Sequence, residues 1–532
     1  MKINKLMAMS LLSVIVLASC GPEVIVENFY RFSEKPAVAT LRQARKGTYK
    51  SDMPTIGDSR VLVLPIEFSD YPASGLLRGT DGAHEDIEKA YFGESEDTQW
   101  ESLKSYYYKS SYGKVNISGR VLPWFRPTDP NNPEKWFSTE EIIDNYGTSQ
   151  GDTGISRLIM GWAYTYYWMG AYSQINNDEG IPYASASEFM KDFDGDGDGF
   201  IDVIQMVYTA PIQHLNSDLF WAFRSADSSA NANVRTPSIC GFVWLGYDFL
   251  HDNGYYDNLG VYHNWTDEEI INGTAKIDAH TIIHESGHAL GADDYYTYDS
   301  GNDWGALGGT DMMDYNIGDH NAYTKSIFGW SDPIVVTGEG EVTLESFTDT
   351  GDAILLPAYK EDGQVNNSLM DEYIMIEYYR PTGLNEMDAT YNYTGNYPKM
   401  PDIPGIRVYH VDSRLGLFTY STTNGWQFVR YVSFVSGTDD NSYIGIANSN
   451  TKSSSAVSAN KLIHALEVSG QNTLKNTSFA ARYSSSMMWQ EGDTFGVDTF
   501  IDFKLNNGEY LGYKFEVKSM NDTEVKIEFS LA

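Results

Sequence analysis

Apolar stretches in the first part of the chain predict a sheet with helices packed on it. The run Val61–Phe68 is almost wholly apolar, as in a buried strand, although Pro65 removes one hydrogen-bond donor and predicts a kink or an edge position. Residues Thr98–Lys109 predict a helix that Gly113 stops. Apolar and polar positions then alternate over Val115–Val121, which indicates a half-buried strand.

From about residue 336 onward, short strand patterns replace the helical ones. Strands are predicted at Val342–Phe347, Tyr373–Tyr378 and Ile406–Val411, each bounded by turn-forming residues. The chain closes on a predicted hairpin, whose strands Tyr513–Val517 and Val525–Leu531 flank an Asn-Asp turn. This half of the chain is therefore predicted to be mainly β.

The charge of the chain narrows its possible partners. Acidic residues outnumber basic ones by 73 to 37, which gives a formal net charge of -36. A protein with this charge repels phosphate backbones, so nucleic acid is excluded as a partner and cations are favoured. The composition, 42% hydrophobic and 21% charged, is that of a soluble globular protein.

The N-terminus has the layout of a bacterial lipoprotein signal. Lys2 and Lys5 precede the apolar run Leu6–Val16, which is too short to span a bilayer. The following sequence Leu-Ala-Ser-Cys resembles a lipobox, in which cleavage before Cys20 leaves a lipid on that cysteine. The alternative is an ordinary cleaved signal with an incidental cysteine. A Cys20→Ala variant that still fractionates with membranes would exclude lipid anchoring.

The other cysteine, Cys240, lies in an apolar stretch and is predicted to be a buried, inert thiol. If Cys20 is lipidated, no intrachain disulfide can form, because the chain contains only 2 cysteines.

A short segment near the middle of the chain carries a metal-binding pattern. His284 and His288 are spaced i and i+4, so on a helix they place two imidazoles on one face, where both can bind one zinc ion. Glu285 lies one residue further round the helix and suits a general base for a zinc-activated water. His280 continues the series, but we do not expect it to be a ligand.

A third ligand is expected just after this helix. Gly291 can adopt the left-handed conformation that ends a helix and turns the chain back. Asp294 follows three residues later, and its carboxylate would complete a three-ligand site with an open position. The neighbouring Asp293 is the alternative, but the spacing favours Asp294. A glutamate from a later helix is disfavoured, because it would leave Gly291 and Asp294 without a role.

The extended pattern HExxHxxGxxD resembles the metzincin signature with its last histidine replaced by aspartate. Residues Asp311–Tyr315 resemble the Met-turn, which places Met313 beneath the zinc site and Tyr315 where it can approach the metal or the oxyanion.

Further segments extend the resemblance over roughly residues 58 to 420. Gly318–Tyr323, Glu372–Tyr378 and Pro404–Ile406 look like the immune inhibitor A family of secreted bacterial metallopeptidases. Membership would imply proteolysis of proteins or peptides by a zinc domain followed by β-rich modules, with calcium bound structurally. Many relatives carry a longer propeptide than the 20–57 segment provides.

A cluster of carboxylates and glycines predicts a calcium site. The acidic residues alternate with glycine or precede an apolar strand, as in loops that wrap Ca²⁺ with oxygen ligands. The candidate ligands are Asp192, Asp194, Asp196, Asp198 and Asp202, of which the last four fit a compact DxDxDGxxD loop. Five unpaired carboxylates so close together would repel one another strongly, so a plain solvated turn is disfavoured.

These observations predict an α+β protein in which residues 1–19 are a lipoprotein signal peptide and residues 20–57 contain the lipidated cysteine and a tether or short leader. Residues 58–335 are predicted to form a metzincin-like zinc-peptidase domain with a mixed sheet, an active-site helix and the calcium loop. Residues 336–532 are predicted to form a β-rich, sandwich-like region, whose first part, to about residue 420, belongs to the peptidase unit.

The predicted function is zinc-dependent hydrolysis of extracellular proteins or peptides at the bacterial cell envelope. The lipid would hold the protein at the outer membrane or cell surface, from which it can be shed. The alternative is a cell-surface binding protein or adhesin on a peptidase fold, but such a protein would normally lack the base Glu285. Contact of the β-rich region with a glycan or glycoprotein is compatible with either function.

Overall fold

The structure of the protein is a computed structural model. The structure describes residues 29–32, 53–129, 132–166, 185–227, 229–251, 254–256, 261–299, 303–361, 368–390, 397–423, 425–433, 441–451, 460–476 and 482–532. Strands gathered into several sheets and helices occur together in it, which confirms a mixed α+β protein.

The strands of the first half are β1 Phe29–Arg31, β2 Gly57–Ile66, β3 Val115–Val121, β4 Thr128–Asp129, β5 Asn132–Trp136, β6 Val203–Tyr208, β7 Phe223–Ala226, β8 Gly241–Gly246, β9 Tyr255–Tyr256 and β10 Tyr262–His263. Those of the second half are β11 Ile334–Val336, β12 Gly340–Glu345, β13 Ala353–Pro357, β14 Glu372–Tyr379, β15 Gly405–Asp412, β16 Leu415–Ser421, β17 Gly425–Val432, β18 Ser442–Ile446, β19 Ile463–Ala465, β20 Thr494–Phe495, β21 Tyr513–Met520 and β22 Glu524–Leu531.

The α-helices are α1 Gly79–Phe92, α2 Leu103–Ser110, α3 Thr139–Ile142, α4 Thr148–Tyr164, α5 Ala186–Lys191, α6 Asp267–Ile271, α7 His280–Leu290, α8 Met312–Tyr315, α9 Ala322–Ile327, α10 Phe347–Thr350, α11 Glu386–Thr390 and α12 Thr473–Asn476. A π-helical turn, Ile143–Gly147, joins α3 to α4, and short 3-10 turns occur at Ala73–Gly75, His214–Asn216, Asp218–Phe220, Tyr247–His251, Gly383–Asn385 and Ser485–Met487. None of the helices in the described ranges is both long and apolar enough to cross a bilayer.

A five-stranded sheet forms the first half, with the strand order β3-β2-β6-β8-β7. Its strands are parallel except for β7, which pairs antiparallel with β8 and forms one edge. Pro65 does not lie on an edge strand, because β2 pairs on both sides. Strand β3 pairs with β2 only as far as Val63, and Pro65 lies beyond the end of this pairing. On that side of β2 the Pro65 carbonyl accepts a hydrogen bond from Phe125 N at 2.8 Å, and the N–H group that proline lacks is not needed for pairing with β3.

The predicted helix at Thr98–Lys109 is shorter than expected at its start. Helix α2 begins at Leu103 because Ser102 caps it: the Ser102 hydroxyl accepts a hydrogen bond from Ser105 N, and Ser105 reciprocates. The predicted strand at Val342–Phe347 likewise ends at Glu345, since Phe347 opens helix α10.

A six-stranded sheet occupies the second half, in the order β1-β11-β13-β14-β15-β19. Its edge strand β1 pairs antiparallel with β11, and Phe32 next to it is buried. Residues Phe29–Arg31 fall within the segment predicted to be a tether or short leader, and main-chain hydrogen bonding to β11 draws them into the folded protein. Cys20 lies outside the described residues.

The six-stranded sheet is buried on both faces. On one face, Ile374, Ile376 and Val408 share a core with Val517 and Ile527 of the four-stranded sheet β12-β22-β21-β20. On the other face, Tyr373 and Met375 belong to the core that contains Ile282 and Ile283 of helix α7. The terminal hairpin β21–β22 therefore packs against the same sheet that supports helix α7.

The predicted boundaries at residues 335 and 420 do not match the core. Residue 335 lies inside strand β11, and the core around helix α7 continues through Leu462, Leu474 and Met488. The part of the β-rich region that is integral to the first unit therefore extends well beyond residue 420. Apolar packing, which local patterns do not reveal, places those later segments beside α7.

A three-stranded sheet, in the order β17-β16-β18, completes the region near the candidate site. Its strand β18 is an edge strand, and the segment that follows it runs from Ala447 to Asn450 in a largely buried position. The predicted buried position of Cys240 is confirmed, and its sulfur lies 3.5 Å from the carbonyl oxygen of Asp227.

Candidate metal centre

Helix α7 carries the candidate metal ligands and ends where the sequence predicts. Its last residue, Leu290, is followed by Gly291, whose φ of 109° lies in the left-handed region that glycine tolerates. The amide of Ala292 then donates to the carbonyl of Gly287 at 3.0 Å, which folds the chain back along the helix. This turn brings residue 294 beside the helix face that carries the histidines.

Three side chains converge there. The Nε2 atoms of His284 and His288 each lie 3.1 Å from Oδ1 of Asp294. Ligand atoms around a tetrahedral zinc with bonds of about 2.0–2.1 Å are separated by about 3.3 Å, so this spacing suits a shared ion. His284, His288 and Asp294 can therefore hold a metal ion, as the sequence predicts.

Hydrogen bonds on the far side of each imidazole set the orientation of the rings. His284 Nδ1 lies 2.8 Å from the carbonyl oxygen of Met312, and His288 Nδ1 lies 2.9 Å from that of Ala292. A carbonyl can only accept, so each Nδ1 carries the proton and donates it. In the neutral form of each ring the lone pair is then on Nε2, the atom nearest Asp294, which is the tautomer that a metal requires.

Glu285 lies beside the three candidate metal ligands but is not one of them. Its side chain is buried, with the residue 6% exposed, and Oε2 makes no hydrogen bond within the described chain. Burial raises the pKa of Glu285, while the nearby histidines oppose the shift. A buried carboxylate oxygen without a partner is costly, and water or substrate in the cleft would satisfy it.

The methionine predicted beneath the site lies there. Met313 is fully buried and packs against Gly287 so closely that a Cβ atom on that glycine would lie 2.5 Å from its sulfur. Its carbonyl accepts a hydrogen bond from Tyr295 N at 2.8 Å, which ties the chain after Asp294 to helix α8. Helix α7 is thus held from below by a side chain that leaves no room for a larger residue.

Three tyrosines surround the site. Tyr315 lines the cleft with Glu285, and its ring lies 4.4 Å from the guanidinium carbon of Arg482. Burial raises its pKa. The sequence analysis missed two others: the hydroxyl of Tyr298 donates to Oδ2 of Asp294, and Tyr296 lines the cleft beside that carboxylate.

Asp294 is accordingly a strongly held carboxylate. Burial disfavours its charge, but the two histidines outweigh burial, and the pKa of Asp294 is lowered. The signal in the sequence is the run Asp-Tyr-Tyr-Thr-Tyr over residues 294–298, although spacing alone does not show which hydroxyls point back.

The metal group lies in an open cleft. Two adjoining depressions, of about 510 Å³ and about 380 Å³, share Trp221, Ala222, Glu285 and Tyr296. One wall comes from the chain leading into edge strand β7, and the opposite wall includes residues of strand β18 and the segment after it, up to Thr451. Two edge strands thus border the cleft.

His280 is not part of the metal group. Its Nδ1 lies 2.6 Å from Asp278 Oδ1, and its ring stacks on Trp100 at 4.3 Å. Burial lowers its pKa, but Asp278 and Asp388 outweigh burial and raise it to about 10. It therefore serves as a buried cation at the start of helix α7.

The calcium loop brings together three of its five candidates. Oxygen atoms of Asp194, Asp196 and Asp202 lie close enough to share one cation. Oδ1 of Asp194 is buried without a hydrogen-bond partner in the described chain, and burial raises the pKa of Asp202 to about 8. A cation would satisfy both groups, so these residues fit the predicted ion.

The other two candidates point elsewhere. Asp192 forms an ion pair with Arg60 at 2.5 Å, and its carbonyl accepts a hydrogen bond from Arg60 Nε. Oδ1 of Asp198 accepts a hydrogen bond from Phe200 N at 2.8 Å, which shapes the turn. Neither belongs to the group of three, because Arg60 holds the side chain of Asp192 and the amide of Phe200 holds that of Asp198.

Comparison with known proteins adds no assignment. No family model matches the sequence, and no curated protein matches it significantly. The resemblance to the immune inhibitor A family therefore stays a prediction carried by the motifs themselves.

Proposed function

We propose that the protein is a zinc-dependent endopeptidase that hydrolyses extracellular proteins or peptides. One observation carries the proposal: Glu285, which has a buried carboxylate oxygen without a hydrogen-bond partner in the described chain, lines an open cleft directly beside a three-ligand group of His284, His288 and Asp294. A general base next to an open, three-ligand metal group is the arrangement of catalytic rather than structural zinc sites.

The chain supplies the proton transfers and the metal supplies electrophilic assistance. When bound, zinc polarises a scissile carbonyl and lowers the pKa of water to about 7. Glu285 accepts the proton of the attacking water and then delivers it to the leaving amine. Its buried position raises its pKa, so it holds that proton for the second step.

Tyrosines assist at two different points. Tyr315 lines the cleft on the Glu285 side, where its hydroxyl would stabilise the developing oxyanion. Tyr298 binds Asp294 instead, so it orients a ligand and keeps that carboxylate ionised. Met313 supports helix α7 from below and takes no part in the chemistry.

Substrate would lie extended along the cleft. Strand β7, Phe223–Ala226, is an edge strand beside helix α7, and Phe223 and Arg224 line the cleft with the metal ligands. An extended peptide can add to such an edge through main-chain hydrogen bonds, which give affinity without dictating side-chain preference. A protein or peptide is therefore the proposed substrate class.

The decisive experiment measures hydrolysis of casein, an unstructured protein, by the purified protein and by a Glu285→Gln variant. We expect chelator-sensitive cleavage by the parent protein. The variant should bind zinc normally and lose activity by about 100-fold or more, since general-base catalysis typically contributes a factor of that size.

Two controls make the result specific. Glu268→Gln changes an exposed glutamate on helix α6 and should leave activity unchanged. His284→Ala should lose both zinc and activity. Equal cleavage by the parent protein and Glu285→Gln would refute the proposed mechanism.

The remaining proposals concern ions and location. Ca²⁺ would stabilise the loop at Asp194–Asp202, in a structural role away from the cleft. Lipid on Cys20 would tether the protein to the bacterial cell envelope, as the N-terminal pattern predicts.

A further inference from the structure

A second concave site lies in the β-rich half, away from the metal centre. Its volume is about 290 Å³, and five separate segments of the chain build it. The residues that line it are Asp303, Trp304, His410, Asn460, Lys461, His464, Asn472, Lys475, Phe503, Lys504 and Asn506. None of them belongs to the metal group or to the calcium loop, so the proposed peptidase activity does not account for this pocket.

The pocket is positively charged in a protein with a net charge of -36. Lys461 is paired, since its Nζ lies 2.5 Å from Asp303 Oδ2 and 3.0 Å from the carbonyl of Asn450. Lys475 and Lys504 form no ion pair with any described residue, and the Lys504 ammonium lies over the ring of Tyr510 at 4.4 Å. Among the residues that the structure describes, no carboxylate therefore pairs with these two exposed cations.

The carboxylates next to the pocket, Glu372 and Asp412, already have hydrogen-bond and ion-pair partners. Glu372 accepts hydrogen bonds from His410 Nε2 at 2.9 Å and from the amide of Asn507 at 2.9 Å, and Arg414 pairs with it at 3.3 Å. Asp412 binds the same arginine and Asn506 Nδ2. Their oxygens face these partners, so the charge that the pocket presents to a ligand comes from the lysines.

Aromatic rings and amides complete the lining. Trp304 packs edge-on against His464 with ring centroids 4.9 Å apart, and Phe503 packs against His410 at 5.5 Å. Asn472 Nδ2 lies 3.3 Å from His464 Nε2, and Asn460 and Asn506 contribute further amides. Rings that pack on a flat apolar face and amides that bind hydroxyl groups are the usual elements of a sugar site.

We propose that this pocket binds a sugar that carries one anionic group. The lysines would neutralise the anion through charge-assisted hydrogen bonds, the rings would cover one face of the sugar, and the asparagines would bind its hydroxyl groups. The volume of about 290 Å³ suits a single sugar unit rather than a longer chain. Both a carboxylated and a sulfated sugar offer this chemistry.

The test is calorimetric titration of the intact protein with four probes: glucuronic acid, glucose 6-sulfate, glucose and inorganic sulfate. We expect glucuronic acid or glucose 6-sulfate to bind, and the stronger of the two identifies the anionic group. Glucose should bind about tenfold more weakly or not at all, because it lacks the charged contacts. Inorganic sulfate should be equally weak, since it lacks the ring.

Matched variants assign the binding to this pocket. Lys475→Gln combined with Lys504→Gln should weaken binding of the charged sugar about tenfold. The control pair Lys518→Gln and Lys526→Gln changes an exposed and a half-buried lysine on the terminal hairpin and should bind as the parent protein does. Circular dichroism would show that both pairs fold.

Three results would overturn the proposal. The first is equal binding of glucose and the charged sugars, and the second is equal binding of inorganic sulfate. The third is unchanged affinity in the Lys475→Gln, Lys504→Gln variant. None of these depends on catalysis, so failure here leaves the peptidase proposal untouched.

Discussion

Asp293 and Asp294 are adjacent carboxylates with different surroundings, and this difference determines which of them can bind the metal. Asp294 is buried and its Oδ1 faces both histidines, whereas Asp293 is half-buried at the wall of the cleft. The choice rests on the turn at Gly291, which rotates residue 294 toward helix α7.

We therefore expect Asp294→Ala to lower zinc affinity by more than about 100-fold, the upper end of what losing an outer partner costs. Asp293→Ala should bind zinc as the parent protein does. Zinc content after dialysis against a graded chelator measures both. The opposite pattern, with zinc lost only in Asp293→Ala, would show that the assignment is wrong.

The sequence predicts residues whose position follows from helix periodicity, and fails for those that depend on loop conformation. The placement of His284 and His288 on one face follows from the spacing of an α-helix, and Gly291 predicts the turn that ends this helix. Tyr298 contacts Asp294 through the path of a loop, which no spacing rule describes. The pattern of acidic residues places Asp192 in the calcium loop. No local pattern reveals that Arg60, which is 132 positions away in the chain, binds its side chain instead.

At the scale of elements, the contact between helix α7 and Met313 limits what Gly287 can become. A Cβ atom there would lie 2.5 Å from the Met313 sulfur and 3.2 Å from the Tyr107 hydroxyl. That hydroxyl also donates to the carbonyl of Ile283 at 2.7 Å, so it cannot move away freely.

Gly287→Ala should therefore destabilise the protein by about 1–3 kcal/mol through overpacking. Gly161→Ala is the matched control, since Gly161 lies within helix α4 with no atom within 4 Å of an added Cβ. The control should be neutral or stabilise by up to about 1 kcal/mol, because alanine favours helix. Denaturant unfolding of both variants tests this, and equal effects would contradict the packing argument.

Elements with a strong local pattern were predictable and those made by distant pairing were not. The strand Val115–Val121 and the terminal hairpin follow from alternation of apolar residues. Strand β1 has only three residues and exists because β11 pairs with it, so composition alone suggested a tether. The start of α2 depends on the Ser102 cap, which shortens the helix that periodicity predicts.

For the whole molecule, the calcium loop couples stability to ions and pH. Calcium should raise the midpoint of thermal unfolding when zinc is held constant; a hundredfold excess over its dissociation constant contributes about 2.7 kcal/mol. Asp196→Asn should abolish the response, while Asp192→Asn should keep it, because Asp192 is held by Arg60. An unchanged response in both variants would place the ion elsewhere.

The pH dependence has a definite sign. Burial raises the pKa of Asp202 to about 8 in the folded protein, above its ordinary value. Without calcium, its contribution to stability is therefore complete at acidic pH and is lost as the pH rises toward 8. Calcium favours the ionised carboxylate, so it should remove this loss of stability. The test is the free energy of unfolding measured from pH 5 to pH 8, with and without calcium, at constant zinc. The same pH dependence under both conditions would contradict the prediction.

The metal ligands and the residues that complete the cleft are synthesised at different times. The metal ligands are complete at residue 294, but Tyr443 to Thr451 complete the cleft, and the supporting core extends to Met488. Ribosomes make proteins from the N-terminus, so a nascent chain carries its metal ligands long before it has a groove to hold substrate. For the proposed endopeptidase, this order of synthesis predicts that cleavage cannot begin before the chain has been made as far as Thr451.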